Sequence, residues 1–333
     1  MKRLFYVLPI EQVIISIGML LLLILSASWG LPSRERIELL FGGHLPGESV
    51  RAWLDQKTEH EEGQLAGGMA LNSESARRIV IRGYINGSSA VDERKSFRSL
   101  AGMHPAQLDF NPRQFIYGGA YLYPLGGLLE VLTLAKVVKV SNQVSYYIEH
   151  PQKIAAIYLA GRSLSIISFI GMLILLMKFT YAHANQLAAA LAGIILSCSI
   201  VVLDQSLVTK PHCVAAFWSF AGFILLQKTT NWRKSILTGI CFGLAVGSAL
   251  TAALSMVMIP ISLFDRKILK RSILQIVIVS GSAAILFIMT NPYLFLNWHH
   301  FSHTVGEHGS ATGWGYAAVT WRNFRNYLPA LLM

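Results

Sequence analysis

Residues 90 to 126, AVDERKSFRSLAGMHPAQLDFNPRQFIYGGAYLYPLG, set an acidic pair, Asp92 and Glu93, ahead of a third carboxylate, Asp109, and a run of tyrosines that includes Tyr117 and Tyr123. A carboxylate held within hydrogen-bond reach of a hydroxyl can take its proton as a general base. The pair precedes RKSFRSLAGM, in which Phe97, Leu100 and Met103 fall at helical spacing, so the acids stand at the first turn of a short amphipathic helix. Carboxylates at that position also cap helices and favour the positive end of the dipole. Both roles are open to them. Glu35 and Glu38, in GLPSRERIELLF just beyond the first apolar run, are a competing place for the acidic motif, although Arg34 and Arg36 flank Glu35 and the following residues read as an amphipathic surface helix.

A second polar stretch follows residue 290, with His299, His300, His303, Glu307 and His308. His299 and His303 stand at i and i+4, so a helix could aim both at a divalent metal. A solvated loop is the other reading, because no complete ligand set of fixed spacing emerges, and no metal ligand is assigned. The glycine- and aromatic-rich HGSATGWGY suits a loop folding over a sugar, with Trp314 stacking on its apolar face.

These polar segments belong to a greasy chain. Its 333 residues are 53% hydrophobic and 14% charged, with mean hydropathy +0.50, too apolar for an ordinary soluble domain. The three cysteines, Cys198, Cys213 and Cys241, sit in or beside apolar segments and form neither a disulfide framework nor a zinc spacing. The net charge of +11 is not concentrated on one polar face. Residues 31 to 155 are nearly neutral. The basic excess gathers at Lys2 and Arg3, at Lys178, at Lys228 with Arg233 and Lys234, and at Arg266 and Lys267 with Lys270 and Arg271. Each set flanks an apolar segment, as the positive-inside rule marks cytoplasmic loops. A nucleic-acid partner is therefore not expected, and membrane lipids are.

The charge pattern gives a topology. Residues 13 to 29 form an uncleaved anchor with the N-terminus inside. Apolar segments follow near 119 to 138, 155 to 177, 186 to 203, 212 to 227, 237 to 264 and 272 to 290. A cytoplasmic Lys178 allows only one crossing between 31 and 178. The 155 to 177 run is the better span, and 119 to 138, with Pro124, Glu130 and Lys136, is expected to lie in the interface or re-enter from the outer side. Residues 237 to 264 must leave and return, so a tight hairpin is expected near Gly247, Ser248, Thr251 and Ser255. The result is an all-α polytopic bundle with seven crossings. Its regions are a first transmembrane helix (1 to 30), an outer loop with juxtamembrane helices (31 to 154), a helical bundle (155 to 290), and an outer loop with the start of a further helix (291 to 333). The apolar NYLPALLM at the end leads us to expect an N-terminal portion of a longer protein.

The order of a first span, an outer acidic pair, LDFNPRQFIYGGAYLYPLG, AGRSLS opening the next span and SLVTKPHCVAAFW opening a later one resembles the GT-C superfamily of polyprenyl-phosphate-sugar-dependent glycosyltransferases. Its nearest branches are protein mannosyltransferase-like and aminoarabinose-transferase-like. The resemblance runs from about residue 88 to 315. It implies a hexosyl- or pentosyltransferase that moves a sugar from a polyprenyl-phosphate carrier to a lipid, glycan or protein acceptor, inverting, at the non-cytoplasmic face of a prokaryotic plasma membrane. It also implies that Asp92, with Glu93 beside it, is the base, that Tyr123 and Pro124 form the proline motif, and that Asp109 and Tyr117 lie in the substrate-contacting segment. Arg162 at the head of the second span would meet the lipid phosphate; snorkelling toward the headgroups is its other reading. Lys210 and His212 would help to offset charge on the leaving phosphate. Two departures accompany the resemblance: PLGGLLE lacks the lysine many relatives carry there, and VTKPHC lacks a frequent aspartate. A transporter or flippase is the alternative, but it calls for ionisable residues at mid-span in several helices, and here the spans are nearly clean.

Overall fold

A computed structural model describes residues 9–56, 73–113, 115–227, 231–264, 269–299 and 301–302. The described residues are helical and contain no strand, so the all-α expectation holds. Among the described residues, two helices are long and apolar enough to cross a membrane, or three if one bent pair counts as a single span. These features mark a membrane protein.

The first helix, α1 (Ile10–Ser26), follows from an almost unbroken apolar run. It ends in a turn where Gly30 adopts φ +67°, the left-handed region that glycine tolerates best. Met19, Leu23 and Ala27 pack against Ile166, Phe169, Leu173 and Met177 of the longest helix, α8 (Pro151–His183). Proline at the first position suits that helix start, because its missing N–H would have had no helical partner. The 33 residues of α8 rise about 50 Å, more than the roughly 30 Å of hydrocarbon a span must cross. Several turns therefore project beyond the bilayer.

Between these two helices the chain builds a layer of shorter helices: α2 (Arg34–Leu40), α3 (Glu48–Asp55), α4 (Glu74–Asn86), α5 (Glu93–Ala101), α6 (Gly119–Leu134) and α7 (Val144–Glu149). Ile37, Leu54, Ile85, Val144 and Ile148 make a small core of their own, drawn from α2, α3, α4 and α7. The layer is tied to α8 by the Tyr158 hydroxyl, which donates to the Asn86 carbonyl at 2.8 Å. The segment 119 to 138, expected to lie in the interface, forms the helix α6 over Gly119–Leu134. Its first half is buried, while Val131 and Leu134 at its far end are exposed.

The segment expected as a span over 186 to 203 is broken into α9 (Gln186–Ser197) and α10 (Ile200–Ser206), bent by 67°. After α11 (His212–Leu226) and α12 (Trp232–Ser248), the helix stops at Ala249, which is extended. The chain continues as a 3-10 segment, Leu250–Val257, into α13 (Met258–Leu263). The expected turn near Gly247 and Ser248 is therefore present, although α12 starts earlier than the apolar run suggests. Helices α14 (Leu269–Thr290) and α15 (Pro292–Leu296) complete the described chain.

Helix α12 lies mainly against α11 and α14. Gly239 and Gly243, one helical turn apart, bring its backbone onto α14, where an added Cβ would run into Val279, Ser282 and Ala283. Small residues at this spacing let helix backbones approach in a bilayer, where dispersion contacts replace the hydrophobic drive.

Candidate functional site

The N-terminal ends of α5 and α11 and the first half of α8 meet at the acidic pair, and the two acids do different things. Asp92 is the N-cap of α5, yet its side chain makes no capping hydrogen bond. Its Oδ1 instead meets Lys95 Nζ at 2.8 Å and its Oδ2 meets Lys210 Nζ at 2.9 Å. Lys95 and then Lys210 pull its carboxyl down to about 2. Asp92 and Lys95 are half-buried, whereas the Lys210 side chain is 16% exposed.

Glu93 points the other way and is fully buried. Its Oε1 accepts from Arg162 Nε at 3.0 Å and from the Thr209 N–H at 2.7 Å. Its Oε2 accepts from Arg162 Nη2 at 2.8 Å and from the Ser88 hydroxyl. The Nη1 of Arg162 donates to the Ala27 and Trp29 carbonyls at 2.6 and 2.8 Å. Two expectations change. Glu93 has no free lone pair facing solvent and is no base, and Arg162, 2% exposed with both faces of its fork engaged, neither snorkels nor meets a phosphate. A fully paired buried ion pair is costly to disturb. Its effect here is to lock the end of α1, α5, α8 and the 208–210 segment together.

That lock places Lys210. Ser96 donates to the Thr209 carbonyl at 3.0 Å, and Ser165 donates to the carbonyls of Val208 and Lys210 at 2.7 and 3.3 Å. Gly161 on α8 leaves the space that the Thr209 side chain fills. With Glu93 bound to Thr209, the adjacent residues Asp92 and Lys210 come face to face. His212 begins α11 two residues farther on and is exposed. Tyr117 is buried close enough to feel the Asp92 charge. Burial first, and that charge second, raise its phenol above the ordinary value.

Tyr123 belongs to an adjoining aromatic pocket, lined by Phe115, Tyr117, Tyr123, Leu250, Asn291 and Tyr293 among others. The pocket floor is a junction of three elements. Gly119 N–H donates to Asn291 Oδ1 at 2.8 Å, Gly118 N–H donates to the Ser248 carbonyl at 3.0 Å, and Asn291 Nδ2 donates to the Gly247 carbonyl at 3.3 Å. A Cβ at Gly118 or Gly119 would strike backbone of that junction, which explains the Gly-Gly of YGGAY. Above it, the Tyr123 hydroxyl donates to the Phe110 carbonyl at 3.4 Å, and the Phe110 N–H donates to the Tyr293 hydroxyl at 3.3 Å. Asp109 lies in the same loop, where the Asn111 N–H and then Arg113 hold its carboxyl below the usual range. It serves the loop and makes no contact with Asp92.

Glu35 is exposed on the first turn of α2, where its own backbone N–H and then Ser33 lower its carboxyl. Its side chain is engaged at the start of α2 and takes no part in the Asp92–Lys95–Lys210 ion pairs. Trp314, His303, Glu307 and His308 lie outside the described residues. His299 is exposed, and among the described residues no group of three His, Cys, Asp or Glu side chains could hold a metal ion.

The structure adds Lys95, Ser88, Thr209, Asn291 and Tyr293 to the site. Lys95 was readable, being three residues past Asp92 on one helix face. Ser88 lies five residues before Glu93, while Thr209, Asn291 and Tyr293 arrive from distant segments and carry no local signal. No family model matches this sequence, and no curated protein or solved structure matches it significantly.

Proposed function

We propose that this chain is a membrane glycosyltransferase of GT-C type that moves a sugar from a polyprenyl-phosphate carrier to an acceptor at the non-cytoplasmic face of a prokaryotic plasma membrane. The observation that carries the reading is the convergence of Asp92, Lys95, Lys210 and His212 at one ledge beside apolar helices, over a buried Glu93–Arg162 foundation. A lipid-linked donor needs both parts, cations for its phosphate and apolar helices beside its tail.

In this reading Asp92 accepts the proton of the attacking hydroxyl or amine as the new bond forms at the anomeric carbon with inversion. The anomeric carbon–oxygen bond breaks, and its electron pair leaves on the phosphate. Lys95, Lys210 and His212 offset that charge, the kind of fixed electrostatic stabilisation that lowers such barriers. Arg162 is a positioning residue here, because it acts through Glu93 and the 208–210 segment. Seven crossings, with Asp92 outside, fit the charge pattern and keep the ledge on the side where the acceptor waits.

The test is to incubate the purified full chain with labelled polyprenyl-phosphate sugars and follow the label. Release from the lipid to an acceptor is expected, with turnover reduced by about 10²–10⁴-fold in Asp92→Asn. Label retained on every donor would remove the reading.

A further inference from the structure

We propose that Asp92 is the resident anion of a phosphate seat: the phosphate of an incoming lipid displaces its carboxylate from Lys95 and Lys210, and that displacement releases Asp92 to act on the acceptor. The second half rests on the transferase reading, and the first does not.

Two ammonium groups from separate elements converge on opposite oxygens of one carboxylate, at 2.8 and 2.9 Å. Lys210 is held from behind, because Ser165 fixes its carbonyl and its side chain is largely covered. Asp92 is the loose member. Its side chain is half-exposed, it makes no capping bond to α5, and the two lysines hold it. Neighbouring Glu93 is already neutralised by Arg162 and cannot balance the lysines. The seat thus holds two positive charges against one negative charge. Exposed ion pairs are individually weak, so a second anion can compete for them.

The charge count favours a sugar phosphodiester. With two Lys cations, the Asp92 carboxylate and a donor phosphate of one negative charge, the cluster is neutral. During transfer the acceptor proton goes to Asp92, the acceptor oxygen bonds to the anomeric carbon, and the departing phosphate monoester gains a second negative charge. Two lysines then face one dianion beside a neutral acid, and the cluster is again neutral. Asp92 bound to lysine is a poor proton acceptor, and occupation of the seat removes that restraint. Proton abstraction is thereby tied to the presence of donor.

The experiment measures binding without turnover. The full chain in nanodiscs is titrated with a polyprenyl monophosphate, with phosphatidic acid and with inorganic phosphate. A ligand that must displace a bound carboxylate has its affinity reduced by the fraction of seats left open. Asp92→Asn should therefore bind polyprenyl monophosphate about 3- to 10-fold more tightly than the parent chain, a scale set by the weakness of exposed pairs. Lys210→Met should bind it about tenfold or more weakly, and adding Lys210→Met to Asp92→Asn should abolish the gain. A like gain for phosphatidic acid would show that the seat reads phosphate alone, and a gain for the polyprenyl lipid only would add recognition of the tail. Unchanged or weaker binding by Asp92→Asn, or no binding of any phosphorylated probe, would overturn the proposal. Tighter binding without sugar transfer would keep the seat and remove the transferase reading. Transfer without tighter binding would do the reverse.

Discussion

Two adjacent carboxylates share one peptide unit and opposite fates. Asp92 faces the ledge and Glu93 faces the interior, because residues 100° apart on a helix start point to different surroundings. The Asp92 carboxyl, held at about 2, contributes stability that is fully present above its unfolded value. That contribution fades as pH falls from about 4 to about 2, since below both values the proton binds folded and unfolded chains alike. The stability difference between the parent chain and Asp92→Asn should be flat above about pH 5 and vanish only below about pH 2, as read by denaturant unfolding in detergent. Its size should stay below about 1 kcal/mol, the range of exposed ion pairs. The acidic pair itself was legible from the sequence. Their division of labour was not, because nothing near residue 93 announces a partner at residue 162.

At the level of elements, the Glu93–Arg162 pair is the fastening between α1, α5, α8 and the loop that carries Lys210. Glu93→Gln or Arg162→Met leaves one buried charge without its counter-charge and should cost about 3–5 kcal/mol, measured as a loss of unfolding free energy. The double variant should cost less than the sum of the two singles, the signature of a coupled pair. Helix α12 offers a second check. Gly243→Leu should separate α12 from α14 and lower the unfolding temperature, while the same change at Gly127, which has open space around it, should have little effect. The hydrophobic runs announced most of these helices, and the Gly247–Ser248 turn was readable because polar and small residues interrupt an apolar stretch. The close α12–α14 contact was also written in the sequence as Gly239 and Gly243, four residues apart. A reading by hydropathy passes over it, since glycine contributes little to that scale.

For the whole molecule, the proposed topology assigns the charged ends of the apolar segments to two sides. Single cysteines introduced at residues 92 and 210 should react with a membrane-impermeant reagent added to the non-cytoplasmic side, while cysteines at 233 and 270 should react only from the other. Labelling of 92 and 210 from opposite sides would dismantle both the topology and the ledge. Charge placement carries this much information because moving a lysine or arginine across a bilayer is costly, so orientation leaves its trace in composition. Helix length is a poorer guide. Several apolar helices are shorter than a full crossing, and the 186–206 segment is bent, features that depend on neighbours rather than on local sequence.

The tight winding of Leu250–Val257 has a mechanical corollary. Eight residues at about 2.0 Å each reach some 4 Å farther than they would in an α-helix. Leu250, at the upper tip of that stretched limb, forms part of the aromatic pocket wall. In ordinary helical pitch the same eight residues would be shorter by that length, and Leu250 would stand at a different distance from Val257. The place of one pocket-lining side chain is thus set by the 3-10 winding of the segment it begins.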